Sequence, residues 1–262
     1  MNLYLTWASN INTLNWNQYQ VYFASTSKVK SDSKFVCLTN RIDKEYVPKI
    51  EGYGCEIVFY AKKSKKILTN RWHSFWQYLS KSECDKVIIT DSRDILFQHD
   101  PFQYCPESAV GVCCEGFDHQ SSQFNMADQA ALRENQMEDP MHVENYAKWD
   151  VINGGVCISY VKNIVDFCFL MWSNCLGRPF CTDQAVLNFI YNNTKSTQKT
   201  HLFDPRKDNF CLTGEAQAKS LLPYGVEMAD GLIKNSKGNF CIFHQWDRTE
   251  FADRILAKYS VI

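Results

Sequence analysis

One short segment, Lys86 to Thr90, restricts the possible folds of this chain more than any other. After its leading lysine, the run KVIIT contains only apolar and β-branched residues. Such a run needs burial on both faces, which a central strand of a parallel sheet receives. The run ends directly in Asp91-Ser92-Arg93-Asp94. Ligands of open α/β sheets bind beyond the carboxyl ends of the strands, so these four residues are candidates for a site.

The first hundred residues alternate between strand-like and helix-like patterns, which indicates βαβ units. The last of the helices carries a stripe of aromatic residues at helical spacing, typical of a face packed on a sheet. We therefore expect an α/β fold with a mixed, mainly parallel sheet flanked by helices, and 262 residues suit a single domain. The predicted strands are Asn2 to Trp7, Lys34 to Thr39 and Glu56 to Tyr60, and the predicted helices are Leu14 to Ser25, Asp43 to Glu51 and Arg71 to Ser80.

The second half of the chain begins with a polar stretch, Glu115 to Tyr146, that has weak periodicity. Stretches of this kind are usually binding loops, lids or disordered insertions. We expect this one to become ordered only when a ligand binds. Apolar patterns then return as predicted strands at Val151 to Tyr160 and Phe240 to Phe243, and as predicted helices at Asn163 to Cys175 and Asp183 to Tyr191.

Composition and charge argue against several classes of protein. Lys and Arg number 28 and Asp and Glu 29, a formal net charge of -1, which does not favour a nucleic-acid partner. The apolar runs are far shorter than the roughly 20 residues of a membrane span. The twelve cysteines are scattered without a CxxC pair, and adjacent Cys113 and Cys114 would face opposite sides of a strand, so no zinc site is predicted. With no leader-like start, we expect a soluble, cytoplasmic protein with reduced thiols.

The two carboxylates that follow the KVIIT strand point to metal chemistry. Asp91 and Asp94 would repel each other unless a cation or a basic neighbour compensates their charge. Their hard oxygen ligands suit Mg²⁺ or Mn²⁺, which keep positions open for substrate phosphates. The structural alternative is that Asp94 caps the following turn while Asp91 pairs with Arg93.

The segment VIITDSRDILFQHDPF, from Val87 to Phe102, resembles the metal-site segment of GT-A glycosyltransferases. In that superfamily a strand-ending Asp-x-Asp motif holds a divalent ion on the donor diphosphate, and similar D-x-R-D forms occur in bacterial and large-virus members. Asp91 matches the leading Asp. Arg93 stands where the second Asp is usual, so Asp94 is the candidate substitute ligand.

Two further blocks resemble the superfamily in the same order along the chain. The residues Asn153-Gly154-Gly155 resemble the N-(A/G)-G segment, where small residues let the backbone approach the donor sugar; the alternative is a strand-entry turn. The block CTDQAVLN resembles the DQ helix start that faces the transferred sugar. The resemblance makes Asp183 the candidate catalytic carboxylate and Gln184 a candidate donor contact, whereas structurally Asp183 would only complement the helix dipole.

The block IFHQWDR resembles a segment in which a histidine completes the metal coordination. This makes His244 a candidate third ligand, since neutral imidazole binds Mn²⁺, although a lone histidine is more often structural. Further positions follow from the resemblance alone. Thr6 and Trp7 would contact the nucleotide, Arg71 would reach the phosphates, and Glu115 would face the acceptor or the donor sugar.

The resemblance implies transfer of a sugar, with Mn²⁺ or Mg²⁺, from a nucleotide diphosphate sugar to a glycan or another hydroxyl acceptor. UDP is the expected nucleotide, residues 1–105 the nucleotide-binding half and residues 106–262 the acceptor half. Two alternatives stay open. A metal-dependent phosphoesterase also places aspartates at strand ends, and Arg93 in the motif is compatible with an inactive module that only binds nucleotide sugars.

Overall fold

The computed structural model describes residues 1–61, 67–118, 148–177, 182–193, 199–214 and 225–259. The helices are α1 (Trp16–Val29), α2 (Val47–Gly52), α3 (Ile67–Leu79), α4 (Val161–Gly177), α5 (Asp183–Asn193) and α6 (Ala252–Tyr259). The strands are β1 (Asn2–Ala8), β2 (Lys34–Thr39), β3 (Glu56–Phe59), β4 (Lys86–Thr90), β5 (Ile95–Phe97), β6 (Val110–Asp118), β7 (Asp150–Tyr160), β8 (Thr200–Phe203), β9 (Cys211–Thr213), β10 (Glu227–Ala229), β11 (Leu232–Asn235), β12 (Gly238–Asn239) and β13 (Ile242–His244).

The main sheet has seven strands in the order β3-β2-β1-β4-β7-β6-β8. Strand β7 runs antiparallel to both of its neighbours, and the other pairs are parallel. This confirms the predicted mixed, mainly parallel sheet. The KVIIT run is β4, and it is a central strand between β1 and β7 whose Val87 and Ile88 have no exposed surface. The strand order reverses at β1, because β2 and β3 lie on one side of it and β4 on the other, so a crevice opens beyond the carboxyl ends of β1 and β4.

Side chains alternate between the two faces of the main sheet, and each face has its own cover. Helices α3, α4 and α5 pack on one face, where Trp72, Phe75 and Leu79 of α3 are buried against strand residues such as Leu5 and Ile89. Helices α1 and α2 cover the other face, together with a small sheet in the order β5-β13-β9. A third layer, formed by α6 and the β10-β11-β12 sheet, packs on the far side of the small sheet.

The small sheet is sandwiched between two apolar clusters, because its strands alternate apolar residues. Ile242 of β13 packs toward the main sheet, whereas Phe243 packs toward the third layer. In β5, Ile95 and Phe97 face the main sheet while Leu96 faces away. The small sheet is therefore held on both faces, although its strands have only three residues each.

Several predicted boundaries differ from the observed ones. Helix α1 begins two residues later than predicted and continues to Val29, and the predicted helix from Asp43 divides into a 3₁₀ turn at Lys44–Tyr46 and α2. The final strand begins at Ile242 rather than Phe240 and includes His244. The predicted polar insertion begins too early, since β6 continues to Asp118. Its remainder, 119–146, lies outside the described residues.

Cysteines behave as small apolar residues within the described part of the chain, where the eleven cysteines form no disulfide bond. Cys114 packs in the cluster beneath α3 and α4, and Cys113 in the cluster on the opposite face of the sheet, as their adjacency in a strand predicts. No helix among the described residues is long and apolar enough to cross a membrane.

Truncation of Phe243 tests how strongly the small sheet is anchored. Phe243 has no exposed surface and packs into the third layer. Phe243→Ala is expected to lower the free energy of unfolding by about 3 kcal/mol or more, because large-to-small changes in a core lose packing and leave a cavity. Urea denaturation followed by circular dichroism measures this change.

The matched control is Phe59→Ala, the same substitution at a side chain that is 61% exposed on β3. It should change stability by less than about 0.5 kcal/mol. Equal denaturation midpoints for the two variants would contradict the anchoring assigned to Phe243.

Candidate functional site

The turn between β4 and β5 carries both predicted aspartates. The backbone N–H of Asp91 donates to the carbonyl of Gly155 (2.8 Å), which continues the β4–β7 pairing one residue past the end of β4. The hydroxyl of Ser92 donates to the carbonyl of Trp7 (3.2 Å) and ties the turn to β1. Asp94 then directly precedes β5. The two carboxylates therefore lie at the carboxyl end of the central strand, as predicted.

Strand pairing in the small sheet brings His244 to the same place. β13 is antiparallel to β5, with His244 opposite Ile95, and the N–H of Gln245 donates to the carbonyl of Asp94 (2.6 Å). His244 shares a strand face with Ile242, which packs toward the main sheet. Its imidazole therefore faces the end of β4 rather than the third layer.

Asp91, Asp94 and His244 form a group that could hold a metal ion. One ligand atom from each lies within 4.8 Å of the other two. The imidazole Nε2 is 3.6 Å from Asp91 Oδ2 and 3.5 Å from Asp94 Oδ1. The His244 side chain is only 3% exposed, and neither ring nitrogen makes a hydrogen bond. Two carboxylates and an imidazole whose buried nitrogens lack hydrogen bonds fit a divalent ion such as Mn²⁺.

The pKa values in this group follow from the close packing of opposite charges. Burial opposes protonation of His244, but Asp94 and Asp91 outweigh it and raise the imidazole pKa well above its ordinary value. Burial alone would raise the pKa of Asp91, yet Arg71 and His244 lower it below the ordinary range. Asp91 is thus held ionised, which a metal ligand requires.

A bulge in β7 shapes the wall opposite these residues. The register with β6 passes from Val112–Cys157 to Cys113–Asn153, which leaves residues 154–156 as a bulge on that side. The side chain of Asn153 stabilises it by accepting from the N–H of Gly155 (2.7 Å). A Cβ atom at Gly155 would clash with His244 Cε1 and would lie 2.8 Å from Asp91 Oδ2. Position 155 therefore needs glycine to make room for two of the candidate metal ligands.

The guanidinium of Arg71 connects three parts of the site. It forms ion pairs with Asp91 and Asp183, and its Nη2 donates to the carbonyl of Gly154 (3.1 Å). Burial would lower its pKa, but Asp183 and Asp91 raise it above the ordinary value. Asp91 thus pairs with Arg71, twenty residues earlier, and not with its neighbour Arg93, which is exposed.

The first turn of α5 places Asp183, the candidate catalytic carboxylate, and Gln184, the candidate donor contact, against the bulge. Asp183 is 5% exposed, and its Oδ2 accepts from Trp72 Nε1 (2.8 Å) in addition to Arg71. Gln184 accepts from the N–H of Gly154 (3.3 Å) and donates to Glu115 Oε1 (3.2 Å). Sequence reasoning missed Trp72 as an orienting partner, because its place in an aromatic stripe is equally typical of plain core packing.

Glu115 lies inside β6 rather than at a strand end, and it has no exposed surface. Its Oε1 accepts from Asn153 Nδ2 (2.8 Å) as well as from Gln184. The carboxylate therefore holds β7 and α5 together around the bulge. Whether Glu115 meets the acceptor or the donor sugar stays a prediction.

Thr6 and Trp7 lie on β1 near the site, and their side chains are buried. The hydroxyl of Thr6 donates to the carbonyl of Thr90 (2.8 Å), and Trp7 is 8% exposed and packs in the cluster beneath α3. Their predicted contact with the nucleotide stays a prediction. A separate hollow of about 540 Å³ lies between Pro106 and His201; it is at the amino ends of β6 and β8, the opposite end of the sheet from the aspartates.

Neither a protein-family model nor a curated protein sequence matches this chain. Among solved structures, the apo form of the glycosyltransferase GlyE from Streptococcus pneumoniae TIGR4 is similar, with a TM-score of 0.57 and 13% sequence identity. The match covers 100% of this chain and 60% of that one. At this identity the likeness shows the fold alone. The chain therefore has a mixed α/β fold, in a single domain, that is similar to the fold of this glycosyltransferase.

Alanine substitutions of Gly154 and Gly155 test whether position 155 must be glycine to leave space for the metal ligands, or whether any side chain in this strand would disturb the site. Gly155→Ala should weaken Mn²⁺ affinity by about tenfold or more, because the new methyl would displace His244 or Asp91 from the shared position. Calorimetric titration of Mn²⁺ measures the affinity. At Gly154 a Cβ would meet nothing nearer than 3.6 Å, so Gly154→Ala should retain the wild-type affinity. Equal affinities in the two variants would refute this role of Gly155.

The raised pKa of His244 predicts the pH range of metal binding. Coordination needs neutral imidazole, so Mn²⁺ competes with the proton that Asp94 and Asp91 retain on the ring. Mn²⁺ affinity should therefore still rise with pH above about 6.5, the ordinary histidine pKa. The stability of the metal-free fold depends on pH in the opposite direction and falls as pH rises. Protonated His244 stabilises the fold below about pH 6.5, and this contribution is lost as pH rises through the higher folded-state pKa.

Calorimetric titrations from about pH 6 to about pH 8, in buffers of different ionisation enthalpy, count the protons released on binding. His244→Ala should bind Mn²⁺ more weakly and release fewer protons. A wild-type affinity that is flat above about pH 6.5 would show that His244 does not bind the ion.

Proposed function

We propose that this protein is a metal-dependent glycosyltransferase that uses a nucleotide diphosphate sugar, with UDP as the nucleotide. The observation that carries the proposal is the Asp91–Asp94–His244 group at the carboxyl end of the central strand, with Arg71 joining it to Asp183. Ligand atoms within 4.8 Å of one another suit one divalent ion. The similarity to the fold of GlyE supports the same class of reaction.

Charge at the site argues that the donor needs a cation in order to bind. The three carboxylates of Asp91, Asp94 and Asp183 outnumber the two basic groups beside them, Arg71 and His244. A nucleotide diphosphate is itself anionic, and these carboxylates, of which Asp94 and Asp183 are buried, would repel it strongly. A divalent ion held by Asp91, Asp94 and His244 would supply positive charge to the diphosphate as it leaves the sugar. Mn²⁺ and Mg²⁺ both accept this set of ligands.

The residues of the chain itself orient the reacting groups. Arg71 keeps Asp91 ionised and fixes the carboxylate of Asp183, which is our candidate for the group nearest the anomeric carbon. Trp72 holds the same Asp183 oxygen from a second direction. Because that oxygen already accepts two donors, the other oxygen of Asp183 is the one that would face the sugar. The donor would lie along the bulge of β7, with Asn153, Gly154 and Gln184 beside the transferred sugar.

The two halves of the chain would divide the substrates between them. We assign nucleotide binding to residues 1–105, with Thr6 and Trp7 at the carboxyl end of β1, and binding of a glycan or another hydroxyl acceptor to residues 106–262. The carboxyl ends of β1 and β4 flank the reversal of strand order, which is where α/β sheets place nucleotides. A phosphoesterase with paired metals is less well supported, because the described residues contain only one group of three candidate ligands.

Asp91→Asn tests the proposal most directly. The variant loses a carboxylate that both contacts Arg71 and lies in the candidate metal group. Hydrolysis of UDP-glucose, UDP-galactose and UDP-N-acetylglucosamine in the presence of Mn²⁺ should fall by about 100-fold or more. The release of UDP measures the rate. Asp166→Asn, at an exposed position on α4, removes the same charge far from the site and should keep wild-type turnover.

The same assay distinguishes the alternatives. Metal-dependent binding of UDP without hydrolysis of any donor would favour a binding module. Hydrolysis of a simple phosphate ester such as p-nitrophenyl phosphate, with no release of UDP from the sugars, would favour a phosphoesterase. Wild-type turnover in Asp91→Asn would exclude the metal group from the reaction.

A further inference from the structure

Asn188 lies on α5, one helical turn after Gln184 and on the face of the helix that meets β7. It has no exposed surface. Its side-chain Oδ1 accepts from the N–H of Ile152 (2.8 Å), and its Nδ2 donates to the carbonyl of the same residue (2.8 Å). The amide thus satisfies both backbone groups of one strand residue, as a neighbouring strand would do.

The end of β4 explains why Ile152 needs this partner. β4 and β7 are antiparallel, so β4 ends opposite Val156, and the last backbone contact on that side is from Asp91 to Gly155. Earlier residues of β7, including Ile152, extend past the end of β4. Ile152 has no exposed surface, and a buried backbone amide without a partner is costly. The side chain of Asn188 takes the place of the backbone partner that a longer β4 would have given to Ile152.

The position of this amide relates it to the candidate site. Nδ2 of Asn188 also donates to the carbonyl of Gln184 (2.8 Å) in the first turn of the same helix. One side chain therefore bonds to Ile152, next to the start of the bulge, and to the turn that carries Asp183 and Gln184. The hydrogen bond from Gly154 to Gln184 is longer (3.3 Å), so it alone would hold the two elements only weakly.

We propose that Asn188 is a positioning residue that locks α5 in register against β7 and thereby sets Asp183 and Gln184 relative to the donor sugar. Its side chain bonds to the backbone of Ile152 in β7 and of Gln184 in α5, and it acts through Asp183 and Gln184 at the start of the helix. The consequence for the sugar rests on the function proposed above, whereas the lock between α5 and β7 does not. Displacement of a reacting group by about 1 Å can reduce turnover by about 100-fold, so a loose first turn should be visible in kcat.

Asn188→Ala and Asn192→Ala form a matched pair on one helix. Asn192 is only half-buried, and its Nδ2 donates to the carbonyl of Asn188 (2.8 Å), so it makes the same contact within the helix without the bonds to β7. Hydrogen–deuterium exchange of peptides from 150–155 and 183–188 tests the lock. Asn188→Ala should accelerate their exchange by about tenfold or more relative to both wild type and Asn192→Ala, because it releases buried hydrogen bonds.

Kinetics tests the consequence for the sugar. With the UDP-sugar that wild type hydrolyses fastest, Asn188→Ala should lower kcat by about tenfold or more. The affinity for Mn²⁺ with UDP should remain within about twofold of wild type, because the contacts of Asn188 are to α5 and β7 and not to the metal group. A purely structural asparagine would reduce thermal stability but leave kcat unchanged at temperatures well below the melting point.

Asn188→Asp provides a second variant if Asn188→Ala does not fold. The variant has a side chain of the same size and keeps Oδ1 as the acceptor for the N–H of Ile152. It replaces Nδ2, which donates to the carbonyls of Ile152 and Gln184, with an oxygen that cannot donate when ionised. It should show the same loss of kcat. Wild-type exchange and kcat in either folded variant would overturn the proposal. A wild-type protein that neither binds UDP with Mn²⁺ nor hydrolyses any donor would refute the proposed function, while the exchange experiment would still decide the role of Asn188.

Discussion

The candidate site depends on the compensation of carboxylate charge at the end of a buried strand. Asp91 cannot remain ionised beside Asp94 without a positive partner, and Arg71 provides one from the first turns of α3. The same guanidinium bonds to Asp183 and to the carbonyl of Gly154. One buried cation therefore fixes the relative positions of α3, β4, α5 and the bulge of β7. Removal of Arg71 would leave several acceptors uncompensated together, which is far more costly than the loss of one surface ion pair.

Sequence patterns predicted those elements whose structure is determined by the residues of one short segment. The apolar KVIIT run predicted a central strand because no other arrangement buries both faces of so short a segment, and the observed β4 has the predicted bounds. The aromatic stripe predicted the buried face of α3 for the same reason. The acidic pair that follows β4 indicated a site because strand ends converge there.

The parts that sequence patterns did not predict depend on contacts between distant segments. Strands β5, β9 and β13 have three residues each, too few for a period to be recognised, and they exist because the layers on both sides bury them. The partner of Asp91 was sought next to it in the sequence at Arg93, but the ion pair is with Arg71. The approach of a sugar to Gly155 stays a prediction, and the fold adds that Gly155 makes room for His244 and Asp91.

The small sheet has a consequence for the order in which the protein is made. Asp94 precedes β5 and His244 ends β13, so the third candidate ligand is synthesised long after the first two, and after every other strand that the structure describes. During synthesis the amino-terminal strands can pair while the aspartates still lack their histidine. A divalent ion that requires all three ligands would bind tightly only after β13 has inserted between β5 and β9. Metal capture would then depend on the insertion of β13, and the bound ion would hold that strand in its place.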